Sequence, residues 1–109
     1  KNYEISLRFG QNLAEAREQA GARLRGDEGI RYGYYIGEEK WLTEETTVYD
    51  YPTFGILEDM DCPAVLAEQC FITNAQDVED FASPQGIQKA AQAYYQAICR
   101  TLGIEPIAS

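Results

Sequence analysis

Pro63-Ala64-Val65-Leu66-Ala67-Glu68-Gln69-Cys70-Phe71-Ile72-Thr73-Asn74, with Asp77 shortly after it, is the stretch whose reading decides the fold of this chain. Ala64 to Ala67 is a short, unbroken apolar run closed by a single carboxylate, Glu68. A run that is apolar at both alternating positions is the pattern of a strand covered on both faces, as in the middle of a parallel sheet. In open α/β sheets, ligands sit beyond the carboxyl ends of the strands. Glu68 therefore stands where a catalytic carboxylate would stand. The competing reading of the same residue is a strand-end carboxylate bound to an Arg or to a helix N-terminus.

The flanking sequence supplies helices. Lys1 to Ile5 reads as the end of a strand, and Ser6 as an N-cap. Phe9, Leu13, Ala16, Ala20 and Leu24 then recur at helical spacing, with Gln11, Glu15, Arg17, Glu18 and Arg25 assigned to the polar face and Gly26 to the stop. On the other side, Asn74 and Asp77 have the spacing of a capping box opening a short helix. Ser83-Pro84 opens the last helix, with Ile87, Ala91, Tyr94, Tyr95, Ile98 and Leu102 as its buried stripe and Gly103 as its end.

Between these blocks, Asp27 to Tyr51 is rich in Gly, Tyr and Glu and reads as a loop with a short helical or hairpin excursion. Its rings either form a ligand wall or fill a small core. Thr53 to Leu57 reads as a second short strand. The expected class is thus α/β, a mostly parallel twisted sheet with flanking helices. Two or three parallel strands are too few to stand alone, so the sheet reads as incomplete in this chain. Residues 1–109 form one domain or the C-terminal portion of one.

Composition narrows the function classes. The chain has 109 residues and a formal net charge of −9. With no basic stripe to displace counterions from phosphates, nucleic acid is not an expected partner. No apolar run approaches the ~18 residues of a membrane span, and no signal-peptide pattern opens the chain. It begins with Lys1 rather than Met, which reads as a processed or trimmed product. Cys62 and Cys70 bracket the expected strand, about 26 Å apart if extended, beyond disulfide reach. Either could meet Cys99 instead, but the reading preferred is three buried free thiols. Asp59 and Asp61 read as a solvated loop pair rather than a metal site.

The run Pro63 to Asn74 resembles the last-strand signature Pro-Ala-Val-Leu-(small)-Glu-x-Gly-Phe-Ile-Ser-Asn of the zinc-dependent N-acetylmuramoyl-L-alanine amidases, which cut peptidoglycan. Ser6 to Leu24 resembles a helix of that family, and Gly29-Ile30 the dipeptide that follows it. Thr53 to Leu57 resembles its penultimate strand and Ile87 to Ala97 its closing helix. The resemblance runs from about Ser6 to Ile104 and corresponds to the C-terminal portion of the family's catalytic domain. Cys70 replaces the signature's Gly, and Asp27 to Tyr51 is longer and more aromatic than the family's connection.

The resemblance implies a bacterial, secreted or wall-associated hydrolase with peptidoglycan as partner. In the family, Zn2+ held by two histidines and a glutamate polarises a water that attacks the amide between muramic acid and L-alanine. The signature glutamate is the general base, and that role falls on Glu68. This chain contains no histidine. The ligand set therefore has no counterpart here, zinc binding by this segment alone is not expected, and a missing N-terminal portion or a second chain is expected to complete the sheet. The alternatives are a histidine-free, non-catalytic module that binds wall peptides or a protein partner, and an unrelated small α/β interaction domain.

Overall fold

The computed structural model describes residues 3–24, 29–44, 49 and 51–107. Helix α1 spans Tyr3–Gln19, strands β1 and β2 span Tyr32–Ile36 and Glu39–Thr43, and helices α2, α3 and α4 span Gly55–Glu58, Ala75–Phe81 and Pro84–Leu102. The expected mixture of α and β is present. The parallel sheet is not: among the described residues the sheet is the antiparallel hairpin β1–β2, with Tyr34 opposite Trp41. Gly37, at φ +65°, begins its two-residue turn, a place where the left-handed backbone matches the twist of the strands. The hairpin excursion expected within Asp27 to Tyr51 is therefore found, while Thr46 to Val48 lie outside the described residues.

The core lies where α1 meets α4. Leu13 and Ala16 pack against Ala93 and Ala97, and Phe9, Val65 and Tyr94 close around them. Asn12 Nδ2 donates to Thr101 Oγ1 at 3.0 Å along this seam. The face that α4 buries differs from the expected stripe. Gly86, Ala90, Ala93 and Ala97 point inward, whereas Ile87, Ile98 and Leu102 are exposed. Small residues let two helix axes approach, and the larger side chains turn outward.

Three further expectations need correction. Tyr3 to Ile5 are the first turn of α1 rather than the end of a strand, and the helix stops at Gln19. Gly21, at φ +102°, turns the chain there, so Leu24 lies beyond the helix. Thr53 to Leu57 is not a strand but leads into α2, because the Glu58 carboxylate folds back to accept from Thr53 N at 2.9 Å. Ala64 to Glu68 is not a strand paired within a sheet. It has no regular secondary structure and no ladder partner among the described residues, and Leu66 is 53% exposed.

The caps were legible. Asn74 Oδ1 accepts from Asp77 N at 3.0 Å to open α3, and Ser83 Oγ accepts from Gly86 N at 3.1 Å to open α4, with Pro84 in the first turn. Gly103 closes α4 in the left-handed region.

Candidate active site

The segment 64–71 is held along its length by side chains from the helices. Ala64 N donates to Ser6 Oγ of α1 at 2.9 Å. Further along, Arg17 of α1 donates from Nη1 to the Glu68 carbonyl at 2.8 Å and from Nη2 to the Gln69 carbonyl. The Gln69 side chain donates to the Phe81 carbonyl at 2.6 Å and accepts from the Tyr94 hydroxyl at 2.9 Å. Phe71 N donates to Asp77 Oδ2 at 3.2 Å. The backbone around Glu68 is thereby tied to α1, to the end of α3 and to α4.

The Glu68 side chain is left free. It is exposed and makes no hydrogen bond or ion pair among the described residues. Arg17 engages the carbonyl of Glu68 and not its carboxylate, so the arginine-bound alternative is not the arrangement found. Glu68 lines a cavity of about 480 Å³, within the range of small-ligand sites. Leu13 and Arg17 of α1, Tyr34 and Leu42 of the hairpin, and Phe54 also line it.

Asp77 ends a small polar network beside this segment. Its Oδ1 lies 3.0 Å from Arg23 Nη2. That hydrogen bond, followed by the one from Phe71 N, holds its carboxyl below the usual carboxylate range. Asn74 and Asp77 together therefore do capping work. Asp77 does not reach back to the Asn74 N–H as a full capping box would; that N–H donates to the Phe71 carbonyl at 3.0 Å.

The tyrosines of the central stretch pack on one another. Tyr34 is buried, with ring centroids 5.7 Å from Trp41, 5.9 Å from Tyr49 and 6.4 Å from Tyr51. Its hydroxyl accepts from Tyr49 N at 3.3 Å. Tyr34, Tyr49 and Tyr51 also line the cavity, so the two readings of these rings, small core and wall, describe the two sides of one cluster.

Zinc does not fit these residues. The chain has no histidine, and among the described residues no group of three or more Cys, Asp or Glu could hold a metal ion. Asp59 and Asp61 are exposed. All three cysteines are free thiols, with Cys99 buried, Cys70 half-buried and Cys62 exposed, so the expectation of burial fails for Cys62.

What holds the backbone at Glu68 is not evident from the sequence. Arg17 was assigned to the polar face of α1, yet it is only 9% exposed. A signal existed: Arg17 lies four residues after Leu13, at the edge of the apolar stripe at 100° per residue. Tyr94 belongs to the expected buried stripe of α4 and does pack on the core, whereas Ser6 and Gln69 carried no such signal.

A model of the family described as N-acetylmuramoyl-L-alanine amidase matches residues 1–100. Neither the comparison with curated proteins nor that with solved structures finds a match.

Proposed function

The chain belongs to the N-acetylmuramoyl-L-alanine amidase family, and we propose that it is the Glu68-bearing, C-terminal portion of a peptidoglycan amidase domain. The bond cut is the amide between muramic acid and L-alanine, at the bacterial wall. Glu68 is the general base: its carboxylate takes a proton from the attacking water and returns it to the leaving amine. What supports this reading is an exposed carboxylate, unpaired among the described residues, on a residue that lines a ligand-sized cavity and whose backbone is tied to three helices, in a chain of a family described as amidases.

The zinc on which the family depends would need ligands from polypeptide outside these 109 residues, because the residues present do not supply them. The segment 64–70 supports the same reading. The backbone N–H groups from Val65 to Cys70 have no partner among the described residues. An open edge of this kind accepts an added strand. A strand from the rest of the domain, or from a second chain, would turn 64–68 into the sheet member its sequence describes.

The lack of a donor set favours one second reading, a non-catalytic module that binds wall peptides. The full-length protein separates the two. With zinc supplied, the enzyme reading expects muropeptide release that a chelator abolishes, and Glu68→Gln should lower hydrolysis by about 10²–10⁴-fold with unchanged melting temperature and zinc content. A zinc-loaded, folded Glu68→Gln protein that turns over normally would end the general-base assignment. A full-length protein that binds peptidoglycan and releases nothing would establish the second reading.

A further inference from the structure

We infer that Arg17 is a positioning residue for Glu68: its guanidinium clamps the carbonyls of Glu68 and Gln69 and so fixes the origin from which the Glu68 carboxylate enters the cavity. The inference rests on Glu68 being the base.

Arg17 is an expensive residue in its place. It is nine-tenths buried in the stripe of α1, it forms no ion pair among the described residues, and its Nε has no hydrogen-bond partner. A buried charge that Asp77 feels only at a distance, with no ion pair among the described residues, and a buried donor left unmade both disfavour folding. An apolar side chain of similar length would continue the Leu13–Ala16 stripe without either cost. Packing alone therefore does not account for arginine here.

What arginine adds is a rigid fork of donors. Both arms go to consecutive carbonyls, those of the residue bearing the carboxylate and of its successor. The Phe81 ring lies 5.2 Å from the guanidinium carbon and supports it. Phe81 also accepts from Gln69 through its carbonyl, so the same residue braces the clamp and its target. With the peptide held on both sides, only the side-chain torsions of Glu68 remain to aim its carboxylate. A misplacement of about 1 Å at a reacting group can cost about 10²-fold in rate.

The test uses the full-length protein, a soluble muropeptide and four variants: Arg17→Met, Arg17→Lys, Glu68→Gln and the double variant Arg17→Met/Glu68→Gln. Arg17→Met should fold with a melting temperature at or above wild type, keep KM within about twofold and lose about 10–100-fold in kcat. Arg17→Lys, with its charge but no fork, should fall between. The double variant should be no slower than Glu68→Gln alone, because a residue acting through Glu68 has nothing left to position.

Wild-type kcat in folded Arg17→Met overturns the inference, as does a double-variant loss equal to the product of the two single losses. If Arg17→Met does not fold, Arg17→Lys decides. Lowered kcat at wild-type melting temperature supports positioning, and unchanged kcat refutes it. Full activity in Glu68→Gln refutes the base assignment and this inference with it. Loss in Glu68→Gln together with full activity in both Arg17 variants refutes this inference alone.

Discussion

Gly86→Ala should destabilise the protein through a contact that no side-chain rotation relieves. Gly86 lies in the first turn of α4, where the chain comes directly from α3. A Cβ added there would stand 2.2 Å from the Asp80 oxygen, 2.5 Å from its carbonyl carbon and 2.6 Å from Phe81 N. All three are backbone atoms. Reaching ordinary van der Waals separation requires the end of α3 or the start of α4 to retreat by about 1 Å, and forced shifts of this kind cost roughly 1–3 kcal/mol. Alanine's better helix propensity offsets at most about 1 kcal/mol, and less in a first turn. A net loss of about 1–2 kcal/mol corresponds to a fall of about 4–16 °C in melting temperature for a domain of this size. Because Phe81 accepts from Gln69 and lies against Arg17, the shift should also loosen the segment around Glu68, raising hydrogen exchange there. Thermal and urea unfolding of Gly86→Ala beside wild type measure the effect. A variant as stable as wild type, or more so, would refute the close approach of α3 to α4.

Ser83→Ala removes the side-chain cap of α4 and should cost about 1 kcal/mol, read as a lower urea midpoint at unchanged slope. Asp77 gives a pH dependence. Its folded-state carboxyl is held down by Arg23 and the Phe71 N–H, so its stabilising contribution is present above the unfolded value near about 4 and lost as pH falls through the lowered folded value. Asp77→Asn should therefore flatten the acid limb of stability against pH, and an unchanged limb would deny the network that role. The 109-residue chain alone should show no stoichiometric zinc binding at micromolar concentration by calorimetry, since no set of ligands sufficient for a zinc site is grouped among its described residues.

What could be read from sequence was set by local chemistry. Asn74, Ser83-Pro84 and Gly103 act within one turn of themselves, and each cap sits where its residue type predicts. What depended on a distant partner was misread. The stripe of α4 was assigned to its largest residues, but the neighbour is α1, and Ala90, Ala93 and Ala97 are what permit the approach. Thr53 to Leu57 has strand-like composition, yet one carboxylate folding back from Glu58 makes it a helix entry. Arg17 reads as solvent-facing on charge, although its phase on α1 puts it at the edge of the apolar stripe. Charge is a weaker guide than phase when a guanidinium can satisfy itself on backbone carbonyls.

Ala64 to Glu68 poses the hardest case, because its sequence and its surroundings disagree. The composition is that of a strand covered on both faces, whereas the structure covers only part of it. Val65 packs on the α1–α4 core and Gln69 is bonded to Phe81 and Tyr94, while Leu66, Ala67 and Glu68 are exposed. An isolated chain would not gain from placing Leu66 in water, since burying such a side chain is worth about 1.5–3 kcal/mol. Nor would it gain from a row of backbone donors left to solvent. Both features become favourable together if another strand pairs along 65–70 and covers Leu66. Glu68, at the carboxyl end of that strand, would then lie at the rim of the completed sheet, where ligands of α/β folds are bound. The exposure of this segment and the lack of a metal donor set among the described residues thus agree with the proposed reading, in which Glu68 is presented by this chain and the rest of the catalytic apparatus would come from other polypeptide.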